Sequence, residues 1–561
     1  MSELGTHLTS NLDENIEELS ESIDMGGRRP IGIEAKFLFL AALLWSFYQL
    51  YIASPLPYIT GILMIDDTQD RAIHVAFCVF LGFCAYPMFK KTSPRGYIPW
   101  YDWAFAIVSA LCCFYIIIFY EEISEGAGGV RTMMEVVVSV VGVICVMEIT
   151  RRALGIPLTI VSGIFLAYMF LGPYMPDIIS HRGASLNRAV DHMWLTTEGV
   201  FGIAAGVSTK VIFLFVLFGA LLQKAGSGNY LIQLSFALLG HLRGGAAKAS
   251  VVSSGLTGVV SGSTIANIVT TGTFTIPLMK RTGFPAHKAA AIETSASLNG
   301  QVMPPVMGAA AFIMTEFIGI TYLDVIKHAL LPAVISYIGL YFIVHAEAEK
   351  AKMMVIERAV QSHWARRLFV FASCILTVII LSGALYYASE FLKATVGSAT
   401  VYVACFVFVA IFVGSAWIAT RYPPLHMDDP NAKDIHLPDT WPTFMAGLYY
   451  ILPIVVLIWC LIAERFSAGT AVTWAILAQV FVLVAQHPLR AFLSGGCAGV
   501  PKAIKTGLED FIHGMASGAR NMIGVAIAMA SAGIIVGVVS LTGLGISMTA
   551  IIEILSGGSF I

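Results

Sequence analysis

Apolar stretches of about 17 residues or more recur along the chain, each long enough to cross a hydrocarbon layer about 30 Å thick. The pattern predicts a first span at 37–55, three more ending near Lys90, Glu121 and Arg151, and a fifth at 156–173. A polar segment from Asp177 to Asp191 follows, and the spacing then becomes less regular. Runs at 207–222 and 229–240 come next, then 289–316, 329–345, 368–388, 395–418, 444–462 and 467–485. Long uninterrupted apolar runs are the mark of membrane helices. The expected fold is an all-α, multi-pass membrane protein behind a polar, acidic tail at residues 1–30 that carries no signal-peptide pattern.

Basic residues near span ends mark the cytoplasmic side. Arg28, Arg29 and Lys36 precede the first span and place the N-terminus inside. Lys90, Lys91 and Arg95 follow the second span, Glu121 and Glu122 end the third, and Arg151 and Arg152 end the fourth. The signs therefore alternate inside, outside, inside. Residues 31–152 read as a compact four-span module, and residues 153–561 as a second, larger region.

The stretch from Ser253 to Gly283, "SSGLTGVVSGSTIANIVTTGTFTIPLMKRTG", breaks this regularity. "HLRGGAAK" before it and "KRTGFPAHK" at its end are both basic, so both ends are expected inside. Positions 249–279 hold about 31 residues, too few for two full crossings of about 20 each. A re-entrant hairpin satisfies both constraints, with its turn at Ser261, Gly262 and Ser263. Irregular backbone at membrane depth is tolerated only where protein buries it or it lines a cavity. The next segment, 289–316, contains "SASLNGQVMPPVMG", where Gly300 weakens the helix and Pro304 and Pro305 remove two backbone donors. It should be a broken helix.

An internal likeness accompanies these features. "TEGVFGIAAGVSTKVIFLFVLFGA" (197–220) aligns with "EDFIHGMASGARNMIGVAIAMASA" (509–532), matching Gly202 with Gly514, Gly206 with Gly518 and Ala220 with Ala532. "KAGSGNYLIQLSFALLG" (224–240) then aligns with "LTGLGISMTAIIEILSG" (541–557), matching Gly226 with Gly543 and Gly228 with Gly545. By the loop charges the two copies start on opposite sides, the arrangement of inverted-repeat secondary transporters. The second copy runs out at "GGSFI", so a truncated second repeat is expected.

Composition narrows the function without naming it. The chain is 57% hydrophobic and 12% charged with a net charge of −2, against about 25% charged residues in soluble domains. Its nine cysteines are scattered, with no CxxC pair or metal-ligand spacing. HExxH and P-loop motifs are absent, GxSxG has no suitable setting, and nothing points to nucleic acid, an enzyme or a bound cofactor. Trp45, Trp100, Trp103 and Trp194 are expected as anchors at the membrane interface. Glu293, close to a basic segment, is expected to pair with His287 or Lys288 at the interface, an ion- or proton-carrying role being the other reading.

The run "SGLTGVVSGSTIANIVTTGTFTIPLMKRTGFPAHKAAAIETSASLNGQVMPPVMGAAAFIM" resembles the first hairpin and following broken helix of the large membrane subunit of TRAP transporters, the tripartite ATP-independent periplasmic transporters. The four-span module looks like the small membrane subunit fused in front, as in the TAXI branch. The likeness extends over nearly all the chain after residue 30, with residues 253–314 its specific part. It implies a bacterial or archaeal inner-membrane permease that imports a carboxylate-bearing solute by sodium symport. A periplasmic TAXI-type solute-binding protein would deliver the solute, and the transport domain would move as an elevator. By motif, the family's first sodium site falls on Ser261, Ser263, Gly300, Met303 and Pro305. Substrate contacts are expected at Ser261, Gly262, Thr264 and Asn267. Sodium as a hard cation prefers oxygen ligands, which an unwound bend and neutral hydroxyls supply. The family's second sodium site has no matching residues here. A receptor-independent sodium/carboxylate symporter of related architecture is the alternative, and the four-span module argues against it.

Overall fold

The computed structural model describes Arg28 and residues 30–89, 92–126, 129–353, 355, 395, 400–423, 425, 437–495 and 499–556. The expected span at 368–388, most of the acidic tail and most of the loop at 421–442 lie outside the described residues. Helices dominate and no strand occurs among the described residues. Nine of these helices are long and apolar enough to cross a membrane, or ten if one bent pair counts as a span. The protein is an all-α, multi-pass membrane protein.

The chain divides into two compact units, one made of residues 1–220, 309–320 and 514–561, the other of residues 221–308 and 321–513. In the first unit, helices at Ile33–Ala53, Asp67–Ala85, Trp100–Ile118 and Met133–Ala153 stand where four spans were expected. Two begin with capping boxes, Asp66 with Gln69 and Thr132 with Glu135, which satisfy the backbone donors a helix start leaves open. The second of the four departs from a plain span, because its first two turns carry Asp67, Asp70, Arg71 and His74. Nearly all of its remaining length is buried, as expected for an interior helix that is apolar on every side.

A charge cluster ties this unit together. Arg28 donates to Asp102 at 2.7 Å and Arg152 donates to the other Asp102 oxygen at 2.6 Å, with all three side chains fully buried. Arg152 and Arg151 also bind Glu148. Two of the tryptophans correct the anchor reading. Trp45 and Trp194 are 0% and 1% exposed. Trp45 packs against His74, Phe77 and Phe213, and Trp194 donates to the Cys112 carbonyl at 3.3 Å. Trp103 is half-buried against Phe37 and Phe80, and only Trp100, 80% exposed, sits as an anchor would.

In the second unit, the expected hairpin is present, and the helix after it ends before the proline pair. The hairpin arms are Gly245–Ser261 and Thr264–Arg281; the broken helix runs Ala286–Gly300 and resumes at Ala309–Ile318, which belongs to the first unit. Small residues line the packing of the first arm and the broken helix with the long helix Tyr322–Lys350, among them Ala246, Ala247, Ala289 and Ala296. Small side chains let membrane helices approach closely where no solvent drives them together. The expected span at 444–462 is bent by 57° between Thr440–Ala446 and Leu448–Ile462.

The two aligned copies share one local feature and differ in another. Gly226 and Gly543, matched in the alignment, have φ of +101° and +71° and each opens a shorter helix, at Ser227–Leu239 and Leu544–Ser556. Upstream, residues 509–532 lie within one continuous helix, Val500–Thr542, whereas residues 197–202 form a turn before the helix at Ile203–Lys224 begins.

Candidate functional site: the hairpin tip and the proline bend

The first hairpin arm stops because Gly262 takes a left-handed conformation, φ +58°, which glycine adopts without steric cost. Ser263 then caps the second arm, its hydroxyl accepting from the Ala266 N–H at 3.3 Å. The expected turn at Ser261–Ser263 is thus where the chain reverses. Ser261 donates to the Ser263 carbonyl at 3.4 Å and is buried.

Glycines allow two close approaches between the hairpin and the broken helix. A Cβ on Gly258 would lie 2.5 Å from the Gly300 Cα, so the first arm and the broken helix touch backbone to backbone. A Cβ on Gly262 would lie 2.3 Å from the Met307 carbonyl oxygen and 3.1 Å from Val306, so the tip rests on the chain just after Pro304 and Pro305. The two glycines hold the tip and the bend face to face.

The bend itself is held by its own hydrogen bonds. Met303 N–H donates to the Gly300 carbonyl at 3.2 Å, and Gly308 N–H to the Gln301 carbonyl at 2.7 Å. The Tyr322 hydroxyl lies 2.5 Å from the Pro305 carbonyl and 2.9 Å from that of Val306. The Gly300 and Pro305 carbonyls, both expected at a sodium ion, therefore each accept a protein hydrogen bond. A carbonyl oxygen has two lone pairs, so each keeps one for another partner.

Asn267 is fully buried beside Gly300, and its amide donates to the Ser254 carbonyl at 2.9 Å. Its Oδ1 and the Thr264 hydroxyl are buried without a partner among the described residues. Buried polar atoms are almost always satisfied. Two oxygens one helical turn apart, both open and next to the tip, are therefore the atoms here best suited to a cation or a ligand donor. Of the expected site residues, the structure brings Gly262, Asn267 and Gly300 against the hairpin–bend contact. It places Ser261, Ser263 and Thr264 around the turn, and Met303 and Pro305 along the bend.

One group was misplaced by sequence reasoning. Glu293 pairs with neither His287 nor Lys288; Lys288 binds Glu347 instead. Glu293 is fully buried and receives hydroxyls from Ser250, Ser254, Thr271, Thr275 and Ser297. The signal lay in three pairs at i, i+4 spacing on successive helices: Ser250 and Ser254, Thr271 and Thr275, Glu293 and Ser297. Residues four apart share a helix face.

The family profile described as "Tripartite ATP-independent periplasmic transporter, DctM component" matches residues 141–422, half of the chain. The chain belongs to the DctM family. The C4-dicarboxylate TRAP transporter large permease protein DctM of Pseudomonas aeruginosa is 28% identical over 202 residues, 36% of this chain and 45% of that protein. DctM of Rhodobacter capsulatus is 34% identical over 91 residues, 16% of this chain and 21% of its own length. The ectoine TRAP transporter large permease protein TeaC of Halomonas elongata is 33% identical over 95 residues, 17% and 22% of the two chains. The matched stretches span less than half of these relatives. The hairpin and the proline bend lie wholly inside the part of the chain that matches the DctM family.

Proposed function

We propose that this chain is the membrane permease of a tripartite transporter that imports a carboxylate-bearing solute by sodium symport. A periplasmic TAXI-type solute-binding protein hands the solute over, residues 31–152 act as a fused small subunit, and the hairpin-bearing region moves as an elevator in the inner membrane with the N-terminus in the cytoplasm. The observation that carries this reading is the hairpin tip seated on the proline bend within the family-matched stretch, with the Asn267 and Thr264 oxygens open beside it. Hydroxyl, amide and carbonyl oxygens suit a hard monovalent cation. The start of the second arm at Thr264 offers N–H groups and a positive dipole end to a carboxylate. C4-dicarboxylates and ectoine, the solutes for which these relatives are named, both carry carboxylates, which favours that class over sugars or metal ions.

The test is uptake by full-length protein in proteoliposomes, with the receptor added to the outside. Uptake should require both an inward sodium gradient and the receptor, and Asn267→Ala and Ser263→Ala should each reduce it at unchanged protein level. Uptake that proceeds without receptor would move the assignment to a receptor-independent symporter. Uptake unaffected by both substitutions would remove the tip from the ion and substrate path.

A further inference from the structure

Glu293 sits on the first arm of the broken helix with its side chain wholly inside the protein. The first hairpin arm sends Ser250 to its Oε2 at 2.5 Å and Ser254 to its Oε1 at 2.8 Å. The second arm sends Thr275 to Oε2 at 2.6 Å and Thr271 to Oε1. Ser297, one turn along its own helix, reaches Oε1 at 3.3 Å.

No cation answers the carboxylate among the described residues. On the first arm Lys248 lies 3.0 Å from His345 of the long helix Tyr322–Lys350, and over the Tyr341 ring. On the broken helix Lys288 binds Glu347. Lys280 and Arg281 lie at the far end of the second arm, beyond Thr275. On the long helix, the Tyr337 hydroxyl donates to the Ala296 carbonyl at 2.7 Å. A buried carboxylate without a counter-charge is strongly disfavoured, so a positive charge must be able to join it.

Hydrogen counting indicates which charge. A hydroxyl has one proton to give and two lone pairs to offer. Thr271 Oγ1 is also 2.8 Å from the Asn267 carbonyl, and Thr275 Oγ1 is 2.9 Å from the Thr271 carbonyl. When these threonines donate to their own helix, each turns a lone pair toward Glu293. A carboxylate has no use for it, and a protonated carboxyl does. When they rotate, the threonines join Ser250 and Ser254 in donating to a carboxylate and fill its roughly four lone-pair sites, with Ser297 a longer fifth contact at 3.3 Å. The cage therefore satisfies both charge states without moving a heavy atom. Oxygen–oxygen separations of 2.5 to 2.8 Å leave room for a hydrogen between them and none for a metal ion.

We propose that Glu293 is a proton-binding site whose occupancy is linked to the packing of the hairpin. Four of its five hydroxyl partners, Ser250, Ser254, Thr271 and Thr275, lie on the two hairpin arms. Parting the hairpin from the broken helix would remove them and open the carboxyl to water. The carboxyl O–H bond then breaks, its electron pair stays on the oxygen and the proton passes to water; closing reverses the step. Linkage is reciprocal, so proton binding favours the closed arrangement. This stands independently of sodium coupling and of the solute.

Infrared difference spectroscopy on the full chain in nanodiscs, titrated over about pH 4 to 10 in H2O and D2O, reads the site directly. The expected result is a carbonyl band of one protonated carboxyl that shifts on deuteration, disappears in Glu293→Gln and moves in Thr271→Val. Thr275→Val supplies the same band shift if Glu293→Gln fails to fold, as judged by elution volume. Labelling of Ser261→Cys should change about 5-fold or more across the titration and be flat with Glu293→Gln. Absence of a Glu293-dependent band at every pH would overturn the proposal. So would loss of the band when sodium chloride replaces choline chloride at constant pH, which would make the site a metal-ion site. A flat labelling rate in the otherwise unaltered chain would overturn the link to the hairpin.

Discussion

Gly258→Ala isolates the contact on which the hairpin site depends. The added methyl would stand 2.5 Å from the Gly300 Cα and 3.3 Å from the Gly300 carbonyl carbon and oxygen. All three atoms are backbone, so no side chain can swing aside. Reaching an ordinary carbon–carbon contact of about 3.5–4.0 Å requires the first arm and the broken helix to part by about 1 Å or more. Overpacking of this kind costs about 1–3 kcal/mol, and the rigidity of both partners places this case toward the upper end. In domains of about 150–250 residues each kcal/mol moves Tm by about 2–4 °C, so a drop of several degrees is expected. Asn267, whose amide lies 3.3 Å from the position of a Cβ on Gly300, would be carried out of register with it. The assay is a thermal melt of purified protein at one scan rate, with Gly339→Ala as control. Gly339 is mid-helix with open space around its Cβ position, so alanine there should be neutral or slightly stabilising. If Gly258→Ala melts with Gly339→Ala and keeps full uptake, the backbone contact between hairpin and broken helix is not part of the working structure.

Gly262→Ala meets both a left-handed backbone and the Met307 carbonyl 2.3 Å away, so the tip should lift from the bend. A cost of about 1–2 kcal/mol from the backbone alone, with uptake falling while expression holds, is the expected outcome in melts and proteoliposome assays. Asp102→Asn removes the anion shared by two fully buried guanidiniums and should destabilise by about 3–5 kcal/mol, measured by thermal melt; equal stability would mean the cluster is solvated. Trp45→Ala should cost about 3–5 kcal/mol as a core truncation, whereas Trp100→Ala, at an exposed site, should change the melt little.

Much of the fold follows from short-range chemistry. Helices start at Asp66 and Thr132 because their side chains cap the first turn, and the hairpin turns at Gly262 because glycine takes the left-handed conformation there. The broken helix stops short of Pro304 and Pro305, which supply no N–H groups to continue it. Each of these is written in a few consecutive residues, and the charges flanking residues 249–279 marked the hairpin before any packing was known.

The positions of Trp45, Trp194 and Glu293 were not legible in that way. In a soluble protein the apolar face of a helix points inward, but lipid is as apolar as a protein core. The hydrophobic pattern of a membrane helix therefore does not say which face meets lipid and which meets protein. Trp45, in the middle of its span, and Trp194, in the segment before the helix at Ile203–Lys224, read by residue type alone as anchors, and only their neighbours His74, Phe213 and Cys112 decided for core. Glu293 lies six residues past His287 and five past Lys288, which by sequence made them natural partners. Tertiary packing gave Lys288 to Glu347 and surrounded Glu293 with hydroxyls from three helices. Local sequence determined where the chain bends and turns; the meeting of distant helices determined which polar groups share a buried site, because only there does removal from lipid and water force each one to find a partner.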